Sequence, residues 1–264
     1  MKVKIKNVIT AIEDTAPLVW QESYDNSGLL LGDTDRQVSG IYICLDISID
    51  IVNEALAKGC NMIISHHPLV FKQIKKIDYT SNVGKIIVKS IKNDLTLYSA
   101  HTNMDNAVNG VNGALAQKLG LTNTQPLCDE RLFSHENYLG AGLIGQIQPI
   151  EVKDFLSKVK QILSLPCIKH NKPISETINK VAICGGSGSF LFEQAKAKQA
   201  DIFLTADIKY HDFLDNEGSL FIADIGHFES EQFIKQRINE LLTEKFSNFV
   251  PLFLDKRNNR VEYF

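Results

Sequence analysis

His66 and His67 stand side by side, after the apolar run Met62-Ile63-Ile64-Ser65 and directly before Pro68. The run reads as a buried strand, and proline, which has no N–H for a ladder, ends it. Inside a strand two neighbours face opposite ways; at a strand end, where the chain turns, both imidazoles can reach one space. A second group, Gly226-His227-Phe228-Glu229-Ser230-Glu231, follows the apolar run Leu220-Phe221-Ile222-Ala223. His227 and Glu231 are four apart, so a helix starting here puts them on one face. A third, His101-Thr102-Asn103-Met104-Asp105, follows Leu95-Thr96-Leu97-Tyr98-Ser99. Three strand ends each deliver imidazole or carboxylate to a loop, which is where open parallel sheets bind ligands. The chemistry this implies is metal binding by His66, His67, Asp105, His227 and Glu231.

The ligand types narrow the metal. Imidazole and carboxylate without thiolate suit Zn, Fe, Mn, Co or Ni. Five ligands exceed the three usual at one catalytic zinc. A bridging carboxylate would divide them between two divalent ions about 3.5–4 Å apart, leaving open positions for water or substrate. Asp207, after Leu204-Thr205-Ala206, either orients a ligand or caps the next helix; His101 is a further candidate near the site and His211 a weak one. His135 and His170 lie in polar segments and are assigned no role. Gly185-Gly186-Ser187-Gly188 falls between a strand and a helix. A tight turn is the favoured reading there over an anion cradle, since no lysine follows the last glycine.

The elements around these residues alternate strand and helix. Strands are expected at Ile41–Leu45, Met62–Ser65, Leu95–Ser99, Gly142–Ile147, Val181–Cys184, Ile202–Thr205 and Leu220–Ala223. Helices are expected from an N-cap at Ser48 to Gly59, over Val83–Ile91, from Asn112 to Leu119 with Gly120 as stop, and over Val152–Leu163, Phe190–Lys198 and Glu231–Phe246. Val250–Leu254 and Arg260–Tyr263 are expected as a closing pair of strands. The fold class is α/β, two βα lobes with mainly parallel sheets flanked by helices. Their expected bounds are 1–125, with 226–264 packing on it, and 126–225; the soft boundary lies near residues 122–135.

Composition excludes several classes. At 264 residues the chain is one large domain or two small ones. Hydrophobic residues at 44% and charged residues at 22% are those of a soluble globular protein. A net charge of −3 offers no general field for nucleic acid or anionic membrane. The N-terminus lacks an apolar signal core and no stretch approaches the roughly 20 apolar residues that span a bilayer. Five cysteines, without Cys-x-x-Cys spacing, read as buried free thiols of a cytoplasmic protein.

The ordered motifs Asp25-Asn26-Ser27-Gly28-Leu29, Ser65-His66-His67-Pro68-Leu69, His101-Thr102-Asn103-Met104-Asp105, Gly185-Gly186-Ser187-Gly188 and Gly226-His227-Phe228-Glu229-Ser230-Glu231 resemble those of the Nif-three-like family, whose bacterial members are often labelled GTP cyclohydrolase I type 2 homologues. The resemblance runs from about residue 20 to the C-terminus, in a short form without the inserted domain of longer relatives. It implies a dinuclear site in which His67 and Asp105 hold one ion, His66 and His227 the other, and Glu231 bridges, with His101 nearby. It also implies a toroidal homohexamer and a nucleotide, GTP, as candidate substrate, with metal-activated water opening the guanine imidazole ring. Thr205-Ala206-Asp207 departs from the family pattern, where glycine is usual in the middle. Two readings stay open: a metal-dependent hydrolase, or a non-catalytic metal-binding or regulatory interaction protein.

Overall fold

The computed structural model describes residues 3–128, 140–246, 250–257 and 259–264. In chain order its elements begin α1 (Ile5–Glu13), β1 (Gly28–Leu31), β2 (Ile41–Cys44), α2 (Ile49–Ala57), β3 (Met62–Ser65), α3 (Asn82–Lys92), β4 (Thr96–Ser99) and α4 (Thr102–Asp105). They continue with α5 (Val111–Leu119), β5 (Thr122–Pro126), β6 (Leu143–Glu151), α6 (Val152–Leu163), β7 (Lys169–His170), β8 (Thr177–Ser187) and α7 (Phe192–Ala197). The last are β9 (Ile202–Ala206), α8 (Tyr210–Asp215), β10 (Ile222–Asp224), α9 (His227–Glu231), α10 (Ile234–Phe246) and β11 (Leu252–Leu254). They form two compact units, Met1–Met104 with Ile234–Arg257, and Asp105–Phe233 with Asn258–Phe264.

The first unit is built on a sheet of order β1-β4-β3-β2-β11. Only β1 is antiparallel to its neighbour; β4, β3, β2 and β11 run parallel. Every residue of β2, β3 and β4 is buried, as a parallel sheet covered on both faces requires. Tyr42, Cys44, Ile63 and Leu97 face a core shared with Ile51, Val52 and Ala55 of α2 and Ile86 of α3. The Ser48 hydroxyl caps α2 by accepting from Ile51 N, and Ser81 caps α3 by accepting from Gly84 N. α10 packs against α1 and β2.

In the second unit the sheet order is β5-β6-β8-β9-β10-β7. Alternation along its strands separates two cores. Val181, Ile183, Ile202 and Leu204 face α5 and α6 through Leu115, Leu119, Phe155 and Val159. Ala182, Cys184 and Phe203 face α7 through Phe192 and Ala195. Helices therefore cover both faces.

Several expectations are corrected here. The second sheet is mixed rather than mainly parallel: β8, β9 and β10 are parallel, while β5, β6 and β7 pair antiparallel. The polar, exposed residues of β5 and of Gln146 and Gln148 in β6 suit antiparallel strands with a solvated side. Arg260–Tyr263 forms no strand, and β11 pairs with β2 instead. The helix expected over Phe190–Lys198 opens with a 3₁₀ turn at Ser189–Leu191, and that expected over Glu231–Phe246 is α9 followed by a separate α10. The junction between the units falls within α4, earlier than the expected boundary, part of which (129–139, with His135) lies outside the described residues. β5 joins the second unit because it pairs with β6. Segment 226–264 is divided, with α10 and β11 in the first unit and α9 in the second. No helix among the described residues is long and apolar enough to cross a membrane.

Candidate metal centre

In the first unit the sheet register sets the site. Cys44 of β2 is level with Ser65 of β3, and Ser65 with Ser99 of β4. Two residues beyond these aligned strand ends lie Asp46, His67 and His101. The ladder continues into the turn through His67 N to Leu45 O at 2.9 Å and Ala100 N to Ser65 O at 2.9 Å. β1 enters with Gly28 opposite Ser99, so Asp25 passes the same edge. His66, fully buried, and His67 and His101, half-buried, gather there with potential ligand atoms all within 4.8 Å of one another.

Each of the three rings is held by its Nδ1. His66 Nδ1 donates to the Ala100 carbonyl at 2.8 Å. Since a carbonyl oxygen only accepts, the proton is on Nδ1 and the Nε2 lone pair is the one left for a ligand. His67 Nδ1 bonds Asp46 Oδ1 at 2.8 Å, and His101 Nδ1 bonds Asp25 Oδ1 at 2.7 Å. Metal-binding histidines are oriented in this way. Burial alone would raise the Asp25 pKa, but hydrogen bonds from His101 and Thr102, and the charge of His101, hold it well below the usual carboxylate range.

The second unit repeats the arrangement. β9 ends at Ala206 and Asp207 follows; β10 ends at Asp224 and His227 follows two residues after Ile225. His227 Nδ1 bonds Asp207 Oδ2 at 2.7 Å, so the Asp207 carboxylate touches the ring of a candidate ligand. α9 carries His227 and Glu231 on one face as the spacing predicts, with Nε2 and Oε2 3.1 Å apart. Glu231 is 3% exposed. Asp105 closes α4, and its backbone carbonyl accepts from Asn112 Nδ2 at 3.1 Å. Burial, and then the charges of Asp105 and Glu231, push the Cys184 thiol well above its usual range. That thiol is a packing group and both carboxylates bear on it. Among the described residues all five cysteines are free; Cys167 is exposed and Cys128 half-buried, so only Cys44, Cys60 and Cys184 match the expected burial.

The glycine run has a different purpose from an anion cradle or a simple turn. Gly185 and Gly186 belong to β8, and their N–H groups are taken by Asn112 Oδ1 at 2.9 Å and Ser230 Oγ at 3.0 Å. Gly186 has φ +64°, and a Cβ there would stand 2.1 Å from Glu231 Oε1 and 3.4 Å from His227 Nε2. The missing side chain makes room for the carboxylate. Gly186→Ala is expected to displace Glu231 and weaken zinc binding at least tenfold, with about 1–2 kcal/mol lost to the left-handed backbone. Equilibrium dialysis against zinc reads the first effect and thermal melting the second. Wild-type zinc affinity in this variant would remove Glu231 from the ligand set.

Of the sequence candidates, His66, His67 and His101 come together in the first unit, and Asp207, His227 and Glu231 in the second. His211 lies exposed on α8 and His170 on β7, with Nδ1 bonded to the Asn171 carbonyl. The sequence alone does not single out Asp46 and Asp25 as partners of these rings. Asp46 carried a usable signal, a carboxylate just past the apolar run Ile41–Leu45.

A family model described as Duf34/NIF3 (NGG1p interacting factor 3) matches residues 3–259. A Clostridium acetobutylicum protein named GTP cyclohydrolase 1 type 2 homolog is 35% identical over 233 residues, covering 88% of this chain and 86% of that protein. A similarly named Clostridium perfringens protein is 33% identical over 255 residues, covering 96% of this chain and 97% of that one. Among solved structures, a Bacillus cereus protein related to NIF3 superposes with a TM-score of 0.90 at 26% identity, covering 100% of this chain and 99% of the other.

Proposed function

This chain belongs to the Duf34/NIF3 (NGG1p interacting factor 3) family, and on that premise we propose that it is a metal-dependent hydrolase acting on a guanine nucleotide. It is a GTP cyclohydrolase 1 type 2 homologue with His-rich groups able to hold metal. The proposal assigns His66, His67, Asp105, His227 and Glu231 to two divalent ions, with Glu231 bridging.

One observation carries the reading. All four of the histidines near these strand ends present Nδ1 to an oxygen acceptor: the Ala100 carbonyl, Asp46, Asp25 and Asp207. With Nδ1 engaged in this way, Nε2 is the ligand atom each ring offers, and with two carboxylates the donor set fits zinc, iron, manganese, cobalt or nickel. Divalent ions held there supply Lewis acidity and bring the pKa of a bound water toward neutrality. The chain's own contribution is orientation: Asp46 and Asp207 fix the rings of His67 and His227, and Gly186 admits the Glu231 carboxylate.

The test is metal content joined to turnover. Protein purified without chelator is expected to carry two transition-metal ions per chain by elemental analysis and to open the imidazole ring of GTP, followed by chromatography of the product. Absence of metal after reconstitution would overturn the site. Two bound ions with no turnover of GTP would overturn the hydrolase and favour a binding or regulatory protein.

The proposal extends to a toroidal homohexamer. α8 has no buried residue and leaves Tyr210 76% and Leu214 55% exposed, apolar surface that self-association would cover. Sedimentation equilibrium is expected to give the mass of six chains; a monomer would remove this part.

A further inference from the structure

We propose that Tyr24 and Phe71 form an aromatic platform for the purine base of a nucleoside triphosphate, with Lys72 and Lys75 meeting its phosphates. The proposal rests on the guanine-nucleotide reading above and names the residues that seat that substrate. All four belong to the first unit, and Phe71 touches the ring of His101.

Two loops carry these side chains, 21–27 before β1 and 66–81 between β3 and α3. Asp25, whose side chain is fully buried, bonds His101 Nδ1 at 2.7 Å and accepts from Thr102 N at 3.0 Å. The next residue, Asn26, donates from Nδ2 to the Val70 carbonyl at 2.6 Å. Tyr24 and Phe71 flank this clamp, one on each loop, with ring centroids 6.2 Å apart. Phe71 stands 6.1 Å from the His101 ring, which is 5.2 Å from His66 and 5.4 Å from His67. The hydrogen bonds that hold His101 therefore also hold two aromatic rings beside the candidate centre.

These rings are placed to be stacked upon. Tyr24 is 60% and Phe71 46% exposed. Their planes meet at 55°, and Phe71 meets His101 at 79°, so neither neighbour lies flat against Phe71. Aromatic rings stabilise a fold by taking their faces out of water, and these two leave much of that gain unrealised. Nucleobase stacking is the interaction such a surface offers. A base on Phe71 stands beside His101, at the edge of the centre that ring opening requires. Charge favours a nucleotide over an apolar occupant. Residues 68–77 hold three lysines and no acid, in a chain of net charge −3. Lys76 faces Asp78 at 3.8 Å, whereas Lys72 and Lys75 have no ion pair among the described residues. Every residue from 71 to 77 is exposed, so both ammoniums are available to phosphate oxygens.

The experiment measures nucleotide binding to the full-length, metal-loaded protein by equilibrium dialysis. Its probes are 7-deaza-GTP and 7-deaza-GMP, in which a pyrrole replaces the imidazole ring, so that hydrolysis cannot open it. Phe71→Ala is expected to weaken both probes about tenfold while elemental analysis gives the wild-type metal content. Lys72→Gln with Lys75→Gln is expected to weaken 7-deaza-GTP roughly fivefold more than 7-deaza-GMP, a difference that high salt removes. Phe71→Trp is expected to keep the affinity, and its exposed indole to lose emission when 7-deaza-GMP binds. Wild-type affinity for both probes in Phe71→Ala would overturn the platform and leave the guanine-nucleotide reading standing. Equal weakening of the two probes by the lysine pair would overturn the phosphate assignment. A changed sedimentation mass of Phe71→Ala with unchanged nucleotide affinity would make this face a contact between copies and overturn the proposal. Metal-loaded wild type that binds neither probe would overturn both the platform and the guanine-nucleotide reading.

Discussion

Glu231→Ala is expected to strip both ions from the chain, whereas His66→Ala is expected to weaken chiefly one. The carboxylate is the assigned bridge, and its loss removes a ligand from each ion at once. Glu231 is 3% exposed, one oxygen sits against the space left by Gly186, and the other lies 3.1 Å from His227 Nε2. The shortened side chain leaves a polar gap beside β8 that solvent can fill, so the apo fold is expected to persist. The readout is the metal-dependent gain in melting temperature. A ligand at 100 times its Kd stabilises by about 2.7 kcal/mol, roughly 5–10 °C for units of this size. Wild type is expected to show that gain with zinc and Glu231→Ala to show none. If Glu231→Ala retains both ions while His66→Ala loses both, the bridging assignment is wrong.

Much of this site was legible because its ligands follow short apolar runs. The all-buried strands β2, β3 and β4 are continuous hydrophobic stretches, and His67 and His101 lie two residues past two of their ends. The four-residue spacing of His227 and Glu231 anticipated α9 for the same local reason. What the sequence did not reveal depends on register. Asp46 meets His67 only because β2 and β3 align Cys44 with Ser65, and Asp25 meets His101 only because β1 runs back along β4. Such partners are distant in the chain, and a lone aspartate past a strand has many other uses. The glycines of β8 were misread because their reason is a side chain 45 residues on, Glu231, and not the local turn. Strand direction in the second sheet was equally hidden. An apolar run such as Leu143-Ile144 fits a buried strand of either direction, and only pairing with β8, Leu143 opposite Ile183, makes β6 antiparallel.

Asp105→Asn is expected to cut turnover by orders of magnitude while leaving the fold intact. The substitution keeps size and removes charge. In the proposed centre it takes an anionic ligand from one ion, and an uncharged amide oxygen is a poorer donor to a hard dication. The structural role of the position belongs to its backbone, since Asn112 Nδ2 bonds the Asp105 carbonyl, which the variant retains. The nearby core, with Val111 and Leu115 of α5 fully buried, owes its packing to apolar faces and not to this carboxylate. The Cys184 thiol provides an internal check. Burial is the larger cause of its raised pKa, and the Asp105 charge adds to it, so removing that charge is expected to lower the thiol pKa partway while burial keeps it elevated. Circular dichroism and melting of the metal-free protein are expected to match wild type, with GTP ring opening lost at saturating metal. Full turnover in a folded variant would show that Asp105 is not a ligand the reaction needs, and would shift the assignment of the first ion toward the histidines at the ends of β3 and β4.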